Sequence, residues 1–468
     1  MPSGFFRLIA KQGKETKALI AIIALAIFAR AFALLFLPDA SMTDSLYHLS
    51  VSKYIVQNHA LPFNGIPGIS TSSLAVPLYH ILVAIPFTIL PIELNLATAR
   101  VFPFIFSLLQ LALSFKLLKK LFPKNWHIGF AFVAMQPLMV IFGALNYLET
   151  LATATVLICF IVYLRFAETG KMALLAAAPF AIAAMALSKE SATILVPAFS
   201  MAFLYELLKK KGISNRAKAG AGAFFSAATA LLCSTWFFIN SRAQSTIVFT
   251  LSSGLNDFRM GIGYMTPLLL FLLPLSFNAS FWFFLAQGFE SSPLGITADA
   301  AFIFFTIATL PVLCFLFYGL AKGLQKKDKA TMLFLLCLGS TLLPLAVRAD
   351  RAISVRMLVP IMPLFGIAAC QGFAGIRALK WKRIAVLFFA LTALYSAAFT
   401  SLYSLNFFED NSAHIPLYNY IKQLPDGSVI AIHPNKTRQV EFISEKEAVS
   451  FAYFKDMGPK ELMQALAE

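Results

Sequence analysis

Residues 18–37 read ALIAIIALAIFARAFALLFL, and the fold class follows from this stretch. Its single charge is Arg30, and its length matches the roughly 20 apolar residues that carry a helix across the hydrocarbon core of a bilayer. Arg7, Lys11, Lys14 and Lys17 precede it. The run is too long for the apolar core of a signal peptide and lacks a small-residue cleavage site, so it reads as a retained first span. Working outward, Met172 to Leu187 has the same character. The 468-residue chain is 59% hydrophobic and 13% charged, contains 48 Phe and has a mean hydropathy of +0.77. A soluble chain of this length would form about three domains, and no such array tolerates this composition. A disordered chain and a secreted disulfide-rich chain are excluded as well. The expected class is an all-α polytopic membrane protein.

A net charge of +16 would point to nucleic acid in a soluble protein. Here most of the positive charge sits in short connections, at residues 7–17, 116–124, 165–171, 209–218, 322–329 and 377–383. Cytoplasmic loops collect Lys and Arg. Placing every cluster on the cytoplasmic side gives about eleven spans. They fall near 18–37, 99–117, 126–143, 147–165, 172–188, 191–208, 219–240, 299–320, 330–347, 357–375 and 384–403, with the N-terminus inside and the C-terminus outside. Two further apolar segments, 74–90 and 265–285, contain Pro77, Pro86, Pro267 and Pro274. Proline breaks continuous helix, so these are expected to lie at the outer interface or to re-enter. The alternative, that both cross, preserves the final orientation. Cys159, Cys233, Cys314, Cys337 and Cys370 lie within apolar stretches without metal-type spacing and read as small core residues.

The expected organisation is a basic cytoplasmic N-terminus (1–17), a transmembrane domain (18–403) and a small extracytoplasmic α/β tail (404–468). Two long outer loops, 38–98 and 241–298, interrupt the transmembrane domain, the first with interfacial helices. In the tail, Ile415 to Leu424 is helix-like, Pro425-Asp426-Gly427 a turn, Ser428 to His433 and Val440 to Ile443 strand-like, and Gly458-Pro459 opens a last helix. Asn278-Ala279-Ser280 and Asn435-Lys436-Thr437 match the N-glycosylation acceptor pattern.

Outside the clusters and the tail, the basic residues are Arg30, Lys53, Arg100, Lys189, Arg242, Arg259, Arg348, Arg351 and Arg356. Most fall at outer span ends, against the orientation rule. Ionisable groups at membrane depth are functional candidates, and cations converging from separate spans suit a lipid-linked phosphate. The competing reading is snorkelling or anchorage to headgroups. The first outer loop opens Ser41-Met42-Thr43-Asp44-Ser45-Leu46-Tyr47-His48, and helical spacing sets Asp44, Tyr47, His48 and Val51 on one face. Asp44 there can take a proton from an acceptor hydroxyl or help hold a divalent ion. Alternatively, Ser41-x-x-Asp44 is only a capping box. Glu149 and the Lys189-Glu190 pair bring further charge to the same surface, the pair read as mutually neutralising. His48, His59 and His80 match no metal motif and read as interfacial polar residues. There is no Gly-rich phosphate loop, dinucleotide fingerprint or HExxH motif.

Several motifs, taken in order, resemble the GT-C glycosyltransferases of the protein-O-mannosyltransferase and aminoarabinose-transferase type. They are Asp44-x-x-Tyr47, Pro77-Leu78-Tyr79, Ala99-Arg100-Val101, Tyr147-Leu148-Glu149-Thr150, Leu187-Ser188-Lys189-Glu190 and Arg356-Met357-Leu358-Val359-Pro360-Ile361-Met362-Pro363. The resemblance spans roughly residues 18 to 375. It implies a transferase that moves a sugar, mannose-like hexose first, from a polyprenyl-phosphate donor to a hydroxyl of a lipid, glycan or protein, with inversion. It further implies Asp44 as catalytic base, Arg356 and Lys189 facing the donor phosphate and Arg100 supporting that pocket. Tyr47, His48, Glu149, Arg348 and Arg351 are the remaining pocket candidates. Two positions depart from the family. Asp44-Ser45 stands where Asp-Glu is common, so the adjacent carboxylate pair for a metal is missing, and Met357 stands where an aromatic is common. No Trp-Trp pair of the oligosaccharyltransferase type occurs. No cofactor is required by these residues, and a divalent metal at Asp44 is left open. The expected partners are the donor, the acceptor and the plasma-membrane bilayer, not nucleic acid. A transporter or flippase of a lipid-linked glycan is the alternative, ahead of a noncatalytic assembly subunit.

Overall fold

The helix Glu149–Thr169 is the axis of the structure, a computed structural model. Described in it are residues 13–36, 43–62, 76–239, 314–347, 352–387, 390, 420–421, 423–425, 429–432 and 447–450. In chain order the elements are α1 (Lys14–Phe36), α2 (Thr43–Asn58), α3 (Leu78–Ile89), α4 (Leu96–Ala99), α5 (Val101–Leu121), α6 (Trp126–Ala134), α7 (Pro137–Phe142), α8 (Glu149–Thr169), α9 (Met172–Ala186), α10 (Glu190–Thr193), α11 (Val196–Lys209) and α12 (Asn215–Ile239). After these come α13 (314–325), α14 (Lys329–Val347), a 3-10 helix (Ala352–Leu364), α15 (Phe365–Gly375) and α16 (379–387). Two short strands follow, β1 (Val429–Ile432) and β2 (Glu447–Ser450).

Among the described residues six stretches are long and apolar enough to cross a membrane: Thr16–Phe36, Leu96–Leu121, Glu149–Thr169, Glu190–Lys209, Asn215–Trp236 and Leu358–Gly375. Their burial differs. In the most apolar stretch of α1 only 17% of residues are buried, against 78% in α8, because α8 packs against α5, α7, α9, α11 and the 3-10 helix. Phe28 and Leu35 on α1 are correspondingly exposed, as a lipid-facing helix requires. α8 stops at Gly170, whose φ of +66° is the left-handed cap that glycine adopts without penalty.

The span expected over 126–143 is two helices. Pro137 has no N–H to return to the carbonyl of Val133 and occupies the first turn of α7, so α6 ends at Ala134. Arg30, fully buried inside α1, serves this break. Its Nη1 donates to the Ala134 carbonyl at 2.7 Å and to the Ala26 carbonyl at 3.1 Å, and its Nε donates to Ser107 Oγ at 2.6 Å. The span expected over 357–375 likewise begins as 3-10 helix, through Pro360 and Pro363, before α15. α6 and α15 meet backbone to backbone: a Cβ on Gly129 would lie 2.3 Å from the Gly366 carbonyl oxygen, the close approach that small residues permit between membrane helices.

α3 has 12 residues, about 18 Å of helix, and packs on α2. In the tail, β1 and β2 pair in parallel, Val429 opposite Glu447. β1 falls on the strand expected at 428–433. The partner expected at 440–443 lies outside the described residues, as do segment 265–285 and both glycosylation patterns.

Candidate functional site

The end of the bundle where α8 begins collects the polar residues. α2 reaches it through a face of Ser45, His48, Leu49 and Ser52, all buried, at the spacing that places residues on one side of a helix. Asp44 lies one turn before His48, in the first turn of α2 where a carboxylate complements the helix dipole, and is partly buried.

His48 and His80 meet there. His48 Nδ1 lies 3.0 Å from His80 Nε2, and His80 Nδ1 lies 3.2 Å from the Val76 carbonyl oxygen. A carbonyl only accepts, so His80 Nδ1 carries the proton of that bond and neutral His80 accepts at Nε2 from His48 Nδ1–H. This fixes the tautomer of His48 and makes Nε2 its basic nitrogen. Burial pushes His80 well below the ordinary imidazole value; the charge of His48 acts in the same direction and the Val76 carbonyl opposes it. His80 is therefore neutral at pH 7.

Beside the pair, the Tyr79 hydroxyl donates to Asn146 Oδ1 at 2.6 Å, and Asn146 Nδ2 donates to the Ser45 carbonyl at 2.9 Å. All three residues are buried, so the chain of bonds ties α3 and the turn before α8 to the start of α2. The Leu78 amide donates to the Leu187 carbonyl at 3.1 Å, which brings in the connection between α9 and α10. On that connection Lys189 Nζ donates to Glu149 Oε1 at 2.5 Å, with both side chains almost wholly buried. The expected Lys189–Glu190 pair is thus replaced: Lys189 faces Glu149 at the start of α8, and Glu190 is exposed.

Arg100, between α4 and α5, donates from Nε to the Ala144 carbonyl at 2.7 Å and from Nη2 to the Ala33 carbonyl at 3.5 Å, joining α1 to the exit of α7. Tyr47 is partly buried against Val51 and Trp236. Arg356 lies on the 3-10 helix, three residues before Val359, whose carbonyl accepts from Thr153 Oγ1 at 3.3 Å one turn inside Glu149. Arg348 and Arg351 lie outside the described residues. Among the described residues no group of three or more His, Cys, Asp or Glu side chains is placed to hold a metal ion.

The structure therefore gathers Asp44, Tyr47, His48, Glu149 and Lys189 at one end and adds Tyr79, His80 and Asn146. Sequence reasoning had read His80 as a merely interfacial polar residue. The available signal is Pro77-Leu78-Tyr79-His80, two polar-tipped rings in an apolar segment that proline interrupts.

No family model matches the chain, and no curated protein matches it. Solved structures do. An ArnT from Cupriavidus metallidurans bound to undecaprenyl phosphate superimposes with a TM-score of 0.57 at 11% identity, over 93% of this chain and 86% of that one. Its apo form gives 0.57 at 11% identity over 94% and 86%. The Archaeoglobus fulgidus oligosaccharyltransferase tethered to an acceptor peptide gives 0.54 at 13% identity; 93% of this chain is covered, and 64% of the longer archaeal one. A helical bundle matched along nearly its whole length at such low identity shares architecture, and this chain has the fold of these proteins.

Proposed function

We propose that the protein is an integral-membrane glycosyltransferase that moves a hexose, mannose-like first, from a polyprenyl phosphate to an acceptor hydroxyl at the outer face of the plasma membrane. The observation that carries this reading is the position of Asp44, partly buried and one turn from the tautomer-fixed His48, at the polar end of a GT-C fold. The undecaprenyl phosphate bound to the Cupriavidus protein supports the donor class.

In the proposed reaction the acceptor oxygen attacks the anomeric carbon from the face opposite the phosphate. The bond from that carbon to the phosphate oxygen breaks, the polyprenyl phosphate leaves with the electron pair, and Asp44 takes the acceptor proton. Inversion follows from the single displacement. Charge grows on the phosphate oxygen, where a prearranged cation is worth several kcal/mol in a site that excludes water. Arg356 is assigned that contact. Lys189 and Arg100, engaged with Glu149 and with two backbone carbonyls, support the pocket from behind. No step passes through a metal.

The test is transfer of radiolabelled sugar from a panel of polyprenyl-phosphate monosaccharides by the purified chain in liposomes, with Asp44→Asn and Arg356→Ala alongside. Transfer by the wild type, reduced at least about 100-fold in both variants with unchanged yield of folded protein, is the expected result. Movement of lipid-linked sugar across the bilayer without transfer would instead make the protein a flippase.

A further inference from the structure

At the opposite end of the bundle a cavity of about 910 Å³ opens between α13, the exit of α15 and α16. Its walls are amphiphilic. On α13 Phe315, Tyr318 and Lys322, and just after its end Lys326, follow at spacings of three and four, which places them in one stripe, aromatic first and cationic at the end. On the other wall Arg377 comes just before α16, and Trp381, Ile384 and Ala385 lie on that helix. α13 runs into the lysine-rich connection at 322–329, and Arg377 stands at the start of the other wall, so each wall combines cations with aromatic and apolar groups. Among the described residues none that lines the cavity is acidic. Asp328, the nearest in sequence, is held elsewhere: Oδ2 accepts from the Thr331 amide at 3.0 Å, from Thr331 Oγ1 at 2.7 Å and from Gln371 Nε2 at 3.0 Å.

The polarity is that of a phospholipid standing in its own leaflet. Trp381 and Tyr318, 55% and 39% exposed, are the residue types that sit at headgroup level, and Lys322 holds its ammonium 5.5 Å from the Tyr318 ring centre, at the junction of the two zones. Basic pockets between membrane helices recognise anionic headgroups, and guanidinium and ammonium groups both bond phosphate oxygens. A soluble phosphate would use the three cations but leave the apolar half of the cavity unfilled.

We propose that this cavity binds one anionic phospholipid, its headgroup phosphate held by Lys322, Lys326 and Arg377 and an acyl chain lying along Phe315, Tyr318 and Trp381. The site is separate from the polar end that holds Asp44 and does not depend on the proposed transferase activity.

The experiment uses the full chain, purified in mild detergent and titrated with phosphatidylglycerol and, separately, phosphatidylcholine, with bound lipid counted by native mass spectrometry. The expected result is one phosphatidylglycerol retained in preference to phosphatidylcholine, with affinity lowered about tenfold or more in Lys322→Gln/Lys326→Gln/Arg377→Gln. Lys326→Gln/Arg377→Gln alters only exposed positions and should show an intermediate loss with native thermal stability, which separates lost binding from lost fold. Equal retention of the two lipids by the wild type, or undiminished phosphatidylglycerol binding in both variants, would overturn the proposal. Displacement of the lipid by excess inorganic phosphate would do the same, because it would show that only the phosphate is read.

Discussion

Asp44 and His48 stand four residues apart on α2, and that much was legible in the sequence because helical spacing is local. What fixes His48 was not. His80 arrives from a segment 32 residues away, and Glu149 meets Lys189 across 40 residues; hydrophobic periodicity carries no information about which polar residues two helix ends bring together. These buried contacts make two predictions. His80 is held neutral in the folded protein, well below its ordinary value, so below about pH 6.5 the unfolded chain binds a proton that the folded chain refuses. Stability is then complete above that pH and declines as pH falls through it, by at most about 1.4 kcal/mol per pH unit. The apparent Tm of detergent-solubilised wild type should fall from pH 7 to pH 5, and His80→Gln should flatten that slope. The second prediction concerns the ion pair. Removing one partner of a buried ion pair takes a salt bridge from the charge that remains, at a cost of about 3–5 kcal/mol. Lys189→Met should therefore lower the apparent Tm strongly, and adding Glu149→Gln should restore much of it. If the double variant is no more stable than Lys189→Met, the pair does not carry the stability assigned to it.

Among the elements, those read best from sequence are the uninterrupted ones: α1, α5, α8 and α12 lie close to their expected ranges because about 20 apolar residues in a bilayer have one solution. Less legible is the conformation of the runs that proline interrupts, although Leu358–Gly375 is still long and apolar enough to cross a membrane. Pro137 divides 126–143 into α6 and α7, and Pro360 and Pro363 turn the start of 357–375 into 3-10 helix. A hydropathy window sees only the apolar sum and misses the lost N–H. The break in turn explains Arg30, a charge within a span that the free carbonyl of Ala134 partners. Because α6 is short, it depends on close packing with α15, where the Gly129 Cα faces the Gly366 carbonyl with no room for a side chain. Gly129→Val should force these backbones apart. Overpacking of this kind costs about 1–3 kcal/mol, which should appear as a lower apparent Tm of the detergent-solubilised chain, while Gly220→Val on α12, where nothing lies within 4 Å of the added Cβ, should be far milder.

For the molecule as a whole, the two ends of α8 are chemically different surfaces separated by about 30 Å. One end holds Glu149, Lys189, the histidine pair and the Tyr79–Asn146 bond. At the other, Lys120 pairs with Glu168 and Lys329 with Glu206, and the basic clusters 116–124, 209–218 and 322–329 converge. The clusters were legible as charge counts, but their convergence on one end required the fold. Since positive loops stay in the cytoplasm, the asymmetry predicts orientation: the lysine-rich end inside, the Asp44 end outside. Orientation decides which leaflet supplies each ligand, because a donor sugar approaching Asp44 would have to be presented on the outer side, whereas the lipid cavity beside Lys322 would draw on the inner one. Single cysteines at two exposed sites test this, Asn58→Cys near the end of α2 and Lys211→Cys after α11, each with exposed Cys314 replaced by serine. A membrane-impermeant maleimide should label the residue-58 variant in intact cells and the residue-211 variant only after permeabilisation. The reverse pattern would place Asp44 in the cytoplasm, and with it would fall the assignment of acceptor chemistry to the outer face.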